Sequence, residues 1–141
     1  GKDESFSYLL SAIIGELGNN SFDHNVGNWP DVPGVYFIID LEARFVILAD
    51  RGVGIKATLL KICPNISNDL EALKIAFTEV ISGRSSEQRG NGLKFVRNTV
   101  INLGLELKFY SGNAIYSLLG KNENFEQTKN NIKGMMALIS F

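Results

Sequence analysis

Apolar residues recur at helical spacing near the N-terminus, and this pattern predicts an amphipathic helix over residues 5–25. Two runs rich in β-branched and aromatic residues follow at 35–39 and 45–49. Because only the segment 40–44 separates them, they are expected to form a hairpin. Their near-continuous apolarity indicates central strands that are covered on both faces.

Polar breaks divide the middle of the chain into helices. The pattern predicts a short helix at about 56–62, then a longer one that Asn68 caps and that extends through Ile81. A third helix is expected from about Leu93 to Gly104, after a polar loop. The middle of the chain is therefore expected to be helical.

The C-terminal part of the chain is expected to consist of strands. Residues 105–110 and 114–119 are β-rich, and Ser111-Gly112-Asn113 between them is typical of a hairpin turn. The polar segment 121–133 is predicted to be a loop before a last strand over 134–141. Hairpin connections favour a mixed, mainly antiparallel sheet with helices on one face, which is a two-layer α/β sandwich of the α+β class.

Composition bounds the domain organisation and the partners. The chain has 141 residues, of which 45% are hydrophobic, so we expect one domain over 1–141, whole or part of a longer protein. A net charge of −1 gives no reason to expect nucleic acid or an anionic membrane as partner. No apolar run reaches the ~18 residues of a spanning helix. The single cysteine, Cys63, is typical of a reducing compartment, so a cytoplasmic location is expected.

Three polar residues interrupt the apolar pattern of the first helix along one edge. Glu16, Asn20 and Asp23 stand at positions i, i+4 and i+7, and therefore lie within about 60° of one another on the helix. Burial of such groups is costly without partners, and a magnesium ion with its phosphates would be a suitable partner. The alternative is an ordinary solvated helix face.

A glycine-containing turn, Asp50-Arg51-Gly52-Val53-Gly54, follows the second buried strand. Its glycines let the backbone approach a flat ligand. The Asp50 carboxylate is an acceptor for the exocyclic amine of adenine, whereas guanine has a carbonyl at that place. An ordinary Asp-Gly turn is the alternative.

A second glycine-containing turn, Gly90-Asn91-Gly92-Leu93, precedes the third helix. Free N–H groups at a helix N-terminus form a natural anion site. Arg84, Arg89 and Lys94 lie nearby in the sequence and are candidates to face a phosphate. A capped loop whose arginines point into water is the alternative.

Taken in order, these features resemble the ATP-binding fold that DNA gyrase B, MutL, a heat-shock chaperone, sensor histidine kinases and anti-sigma-factor kinases share. The resemblance to this GHKL superfamily covers about residues 6–119. Residues 16–24, 50–55 and 90–93 look like its first, second and third sequence boxes. The resemblance implies a Bergerat-type fold with ATP and Mg²⁺ as ligands, nearest to the histidine-kinase-like branch.

The resemblance also implies roles for individual residues. Asn20 would coordinate magnesium, Glu16 would be the general base, and Asp50 would hold the adenine amine. Further nucleotide contacts are implied for Asp23, Gly52, Gly54, Ile55, Arg84, Arg89, Gly90, Gly92 and Leu93.

Some positions depart from the superfamily pattern. Asp23 is closer to the chaperone version of the first box, and His24 to the anti-sigma kinase version. The last strand of the superfamily often opens with Gly-Thr, whose threonine supports the adenine-binding aspartate. Here Met135 follows Gly134, so support for Asp50 must come from elsewhere.

Three functions stay open at this point. The domain transfers phosphate to a protein acceptor, as in histidine and serine kinases, or hydrolyses ATP as a switch that gates dimerisation or partner binding, or only senses the nucleotide. Glu16 beside Asn20 favours chemistry over sensing, and the short lid and compact length favour the kinase-like branch. The oligomeric state stays open, and regions outside this chain are candidates to form a homodimer.

Overall fold

The computed structural model describes residues 2–79 and 91–141 of the chain. These residues form four helices and four strands, in the order α1 (Lys2–Asp23), β1 (Val35–Asp40), β2 (Phe45–Asp50), α2 (Gly54–Leu59), α3 (Asp69–Thr78), α4 (Gly92–Leu103), β3 (Glu106–Leu119) and β4 (Asn122–Ser140). The strands pair in the order β1-β2-β4-β3, and each pair is antiparallel. The expected α+β class with an antiparallel sheet is confirmed.

The helices cover one face of the sheet. Along β2, Val46, Leu48 and Asp50 are buried, and the residues between them are only half-buried. The side chains of α1, α3 and α4 that pack most deeply against this face are Ile13, Leu17, Leu73, Phe77, Val96 and Val100. Burial of each such side chain contributes about 1.5–3 kcal/mol, which holds the two layers together.

The first two helices are present with shifted ends. α1 extends over Lys2–Asp23 instead of 5–25, and α2 over Gly54–Leu59 instead of 56–62.

In the parts of the chain that the structure describes, no helix has the length and apolarity to cross a membrane.

The caps of α3 and α4 follow the prediction. The Asn68 side chain accepts a hydrogen bond from the Glu71 N–H at 2.8 Å, as expected of an N-cap. α3 ends at Thr78, so the predicted end at Ile81 is wrong. Gly104 ends α4 with a φ of 66°, a left-handed conformation that favours glycine.

The hairpin predicted at Ser111-Gly112-Asn113 is wrong. One continuous strand, β3, runs through this segment, and its register with β4 shifts on both sides of Gly112, which forms a bulge. The segment 121–133, expected to be a loop, lies almost entirely in β4. Beyond the bulge, β3 and β4 form a two-stranded ribbon, and most side chains of this part of β4 face water. The sequence of this part of β4 is therefore polar and lacks the alternation of apolar and polar residues that predicts a strand.

The interpretation of β1 as a central, covered strand is also wrong. β2 lies between β1 and β4, but β1 forms an edge of the sheet. Tyr36, Phe37 and Ile39 expose 60%, 49% and 45% of their surface. Apolar composition predicts a strand without specifying its place in the sheet.

A polar cluster joins α4 to the β3–β4 ribbon. Arg97 donates to both carboxylate oxygens of Glu123, and the Tyr116 hydroxyl donates to the same carboxylate at 2.8 Å. Hydrogen bonds from Arg97 lower the pKa of Glu123 below its ordinary value. The Tyr116 ring packs against Phe77 and Phe125. The ribbon is thereby fixed to the helix whose first residue lines the candidate site.

Candidate functional site

Two adjoining cavities lie beside the C-terminal half of α1. The larger has a volume of about 310 Å³, which falls in the range of small-molecule sites. The smaller has a volume of about 20 Å³, enough for a water molecule or a small polar group. Asn20, His24, Ile55 and Thr58 line both cavities.

The polar stripe of α1 reaches the larger cavity at two of its three positions. Asn20 and Asp23 line this cavity, together with Gly92 and Leu93 at the start of α4. The Nδ2 atom of Asn20 is buried and has no hydrogen-bond partner within the described residues. An unpaired buried amide is costly, and in native proteins it calls for a partner such as a ligand or ion.

Glu16, the third member of the stripe, lies against the start of α4. A Cβ atom on Gly92 would lie 2.6 Å from Glu16 Oε2 and 3.7 Å from Asn20 Nδ2. Glycine at this position therefore lets α4 begin close to both side chains. The first turn of α4 has no acidic residue, and Asn91 makes no capping hydrogen bond with its side chain.

Asp50 lines the smaller cavity and exposes 7% of its surface. The Gly52 N–H donates to Asp50 Oδ1 at 2.8 Å. Burial raises the pKa of Asp50, although hydrogen bonds from Gly52, the Ser21 hydroxyl, the Met135 N–H and Asn25 act in the opposite direction. Because burial is the larger effect, the ionised carboxylate is incompletely compensated, and an additional donor would stabilise it.

The expected support for Asp50 comes from α1 and the turn after it. Ser21 and Asn25 expose 0% and 3% of their surface. Asn25 Oδ1 accepts from the Val53 N–H at 2.9 Å, and its Nδ2 donates to the Ser21 carbonyl at 2.8 Å. A Cβ on Gly52 would overlap the Asn25 side chain, so Gly52 serves close packing. Neither residue was predicted as a support for Asp50, and the i, i+4 spacing between Ser21 and Asn25 was the available signal.

The bulge in β3 positions the second end of the glycine turn that runs from Asp50 to Gly54. Ser111 Oγ accepts from the Ile55 N–H and donates to the Gly134 carbonyl, each at 3.0 Å. Gly54 has a φ of 77°, and a Cβ there would lie 3.1 Å from Ser111 Oγ. The segment Ser111-Gly112-Asn113, which was predicted as a hairpin turn, thus packs against the glycine turn and links it to β4.

Of the remaining predicted site residues, some line the cavities and others lie outside the described part of the chain. Ile55 lines both cavities, and Gly54 lines the smaller one. Arg84, Arg89 and Gly90 lie outside the described residues. The structure adds Lys61, an exposed cation on the wall of the larger cavity that sequence analysis did not select.

Comparison with solved structures identifies the fold. The topoisomerase IV ATP-binding domain of Francisella tularensis, in complex with a small-molecule inhibitor, matches 92% of this chain with a TM-score of 0.51 and 16% sequence identity. The chain spans 35% of the length of that protein. No family model and no curated protein sequence matches. The chain therefore shares the α+β fold of this topoisomerase IV domain.

Proposed function

We propose that the chain is a single domain that binds ATP with magnesium in the two adjoining cavities. The observation that carries this proposal is the buried, unpaired amide of Asn20, which lines both cavities. It lies on the same helix as Glu16, and Asp50 lines the smaller cavity. The topoisomerase IV domain of the same fold is an ATP-binding domain by its description.

The exocyclic amine of adenine is assigned to the smaller cavity, and the ring of the base to the adjoining part of the larger one. The base would lie in the larger cavity, and its exocyclic amine, the only part that fits about 20 Å³, would point towards Asp50. This amine donates hydrogen bonds, and the Asp50 carboxylate is a buried acceptor. A guanine carbonyl at the same place would face the carboxylate without a proton, so adenine is preferred.

The phosphates are assigned to the other end of the larger cavity, at the start of α4. The free N–H groups of this 12-residue helix favour an anion. Lys61 lines the same cavity and supplies a positive charge. Arg84, Arg89 and Gly90, which precede α4 in the sequence, are proposed as further phosphate contacts.

The residues at this end fit a magnesium ion that arrives with the nucleotide. Rotation of the Asn20 amide by half a turn places its oxygen where the unpaired nitrogen lies, and magnesium prefers oxygen ligands. Within the described residues, no group of three His, Cys, Asp or Glu residues could hold a metal ion alone. Phosphate oxygens and water would therefore complete the coordination, and the bound ion would neutralise phosphate charge.

The proposed chemistry is phosphotransfer to a protein acceptor, as in histidine- or serine-kinase-like signalling proteins. Glu16 lies one helical turn from Asn20 and against Gly92, next to the proposed phosphate site. A carboxylate there is placed to accept a proton from an acceptor hydroxyl or from water. Because water can take the place of the protein acceptor, ATP hydrolysis in a switch is the second candidate function. If neither reaction occurs, the third candidate is a domain that only senses the nucleotide.

Replacement of Asn20 by alanine tests the binding proposal. Calorimetric titration of the unaltered protein with ATP is expected to show binding that magnesium strengthens. Asn20→Ala should remove the magnesium-dependent gain, a loss of about tenfold or more, because the ion loses its protein ligand. Asn102→Ala, at an exposed position of α4, is the matched control and should bind normally. Absence of any ATP binding by the unaltered protein would refute the proposal.

Replacement of Glu16 by alanine tests the chemistry. Full-length protein incubated with γ-labelled ATP is expected to retain label on protein, whereas free phosphate indicates hydrolysis and neither product indicates a sensor. Glu16→Ala should preserve ATP affinity and slow turnover by about 100-fold or more. Glu106→Ala, exposed on β3, should turn over normally. Turnover that persists in Glu16→Ala would exclude Glu16 as the base.

A further inference from the structure

The strand β1 has an unpaired edge. The Arg51 N–H donates to the Gly34 carbonyl at 3.0 Å, so in the antiparallel alternation Gly34 and every second residue after it bond to β2. Val35, Phe37 and Ile39 therefore direct their N–H and C=O groups away from the sheet. Within the described chain, no recorded hydrogen bond reaches these outward groups.

The two edges of the sheet differ in their protection against pairing. β3, at the opposite edge, carries the charged residues Glu106 and Lys108 and is interrupted by the bulge at Gly112. Charges and bulges are devices that block edge-to-edge association. β1 has neither a lysine nor a proline, and its register with β2 runs without a shift. The outer edge of β1 is thus suited to pair with a strand of another chain.

We propose that β1 pairs with β1 of a second copy of this chain, antiparallel and around a two-fold axis at Phe37. In this register Val35 lies opposite Ile39 of the second copy, and about six backbone hydrogen bonds form. The sheets of the two copies become one continuous sheet. Isologous pairing of this kind closes after two subunits, so it gives a dimer and no fibre.

Charge complementarity favours this register and a second copy as the partner. Gly34 of one copy lies opposite Asp40 of the other. The Arg51 side chain lies over Gly34, since a Cβ built there would be 3.5 Å from Arg51 Cδ. Arg51 is exposed on 59% of its side-chain surface and already pairs with Asp31 at 2.5 Å. The two-fold axis therefore places Arg51 of each copy on the same face of the joined sheet as Asp40 of the other, with only Gly34 between them.

Apolar side chains add to the pairing on both faces. Phe37 of the two copies would lie side by side on the helix-covered face, because the residue paired with Phe37 in β2 is the buried Leu48. Tyr36 lies on the open face, next to Ile38 of the second copy. None of the β1 residues lines either cavity, so the pairing is separate from the proposed nucleotide site.

Sedimentation analysis of Phe37 variants tests the pairing and its register. The unaltered protein is expected to sediment as a dimer. Phe37→Lys and Phe37→Glu should each be monomeric, since like charges meet at the axis, and an equimolar mixture of the two should recover the dimer. Leu119→Lys, which changes a residue that is 58% exposed on β3, should remain dimeric. ATP affinity should be unchanged in all variants, which separates this test from that of the proposed function.

A covalent readout covers the case in which a charged variant fails to fold. Phe37→Cys in a Cys63→Ser background should form a disulfide-linked dimer on mild oxidation, and Cys63→Ser alone should not. A monomeric unaltered protein, dimeric Phe37→Lys, or a mixture that stays monomeric would overturn the proposal, as would the absence of the cross-link.

Discussion

Replacing Asp50 with asparagine is expected to weaken ATP binding strongly while the protein still folds. Asparagine has one acceptor oxygen instead of two. If the Gly52 N–H keeps that oxygen as it now keeps Asp50 Oδ1, the N–H₂ group faces the adenine amine, and two donors meet. The expected loss of affinity is on the order of 100-fold, or about 3 kcal/mol, measured by calorimetric titration. Because burial raises the pKa of Asp50, the ionised carboxylate costs folding free energy at neutral pH. Removal of this cost offsets the hydrogen bonds that asparagine gives up, so the Tm should change little.

Asp40→Asn is the matched control for this variant. Asp40 ends the neighbouring strand, lines neither cavity, and its Oδ1 accepts from the Glu42 and Ala43 N–H groups, as an asparagine oxygen also does. This variant should bind ATP normally. Retained affinity in Asp50→Asn, or an equal loss in Asp40→Asn, would remove Asp50 from the adenine site.

The pH dependence of binding follows from the same carboxylate. As the pH falls through the raised pKa of Asp50, the carboxylate takes up a proton and loses acceptor capacity. ATP affinity should therefore decline at a pH above the ordinary aspartate value of 3.8. A decline that appears only below this value would contradict the role given to Asp50.

Gly134→Ala is expected to disrupt the site and destabilise the fold together. Gly134 has a φ of 76°, and a Cβ there would overlap the backbone and carboxylate oxygens of Asp50 and lie 2.7 Å from the Gly52 nitrogen. Backbone atoms cannot rotate out of the way, so β4 and the glycine turn must separate. We expect a loss of about 3 kcal/mol of unfolding free energy, with a fall in Tm of about 10 °C, and no measurable ATP binding.

Gly120→Ala isolates the contribution of the backbone conformation. Gly120 has a φ of 61° at the turn between β3 and β4, and a Cβ there would have no atom within 4 Å. Its replacement should cost only about 1 kcal/mol, the penalty of a left-handed alanine. Equal destabilisation by the two variants, in thermal or denaturant unfolding, would show that the close approach of Gly134 to Asp50 is unimportant.

Local sequence patterns predicted the elements that short-range spacing, strand propensity or a helix cap defines. The apolar spacing of α1, the strand content of β1 and β2, and the Asn68 cap all reflect interactions close in the sequence. The Ser111-Gly112-Asn113 bulge was predicted as a hairpin because glycine with small polar residues suits both structures. The choice between them depends on contacts with Gly134 and Ile55, which are distant in the sequence.

Sequence patterns selected residues that line the two cavities and missed residues that support Asp50. Asn20 and Asp50 carry groups that are costly to bury without partners, so sequence reasoning selects them. Ser21 and Asn25 are ordinary polar residues until the fold places them beside Asp50. Gly52 was predicted for ligand access, whereas in the structure it makes room for Asn25.

The contact between Asn25 and Gly52 also constrains how this domain can change over evolution. Any side chain at position 52 would overlap Asn25, and any shortening of Asn25 removes the acceptor of the Val53 N–H. Substitutions at the two positions are therefore epistatic. A residue larger than glycine becomes tolerable at position 52 only after position 25 has become smaller, so the order of the two changes matters. Among homologous sequences, the two positions should covary although they lie far apart in the sequence.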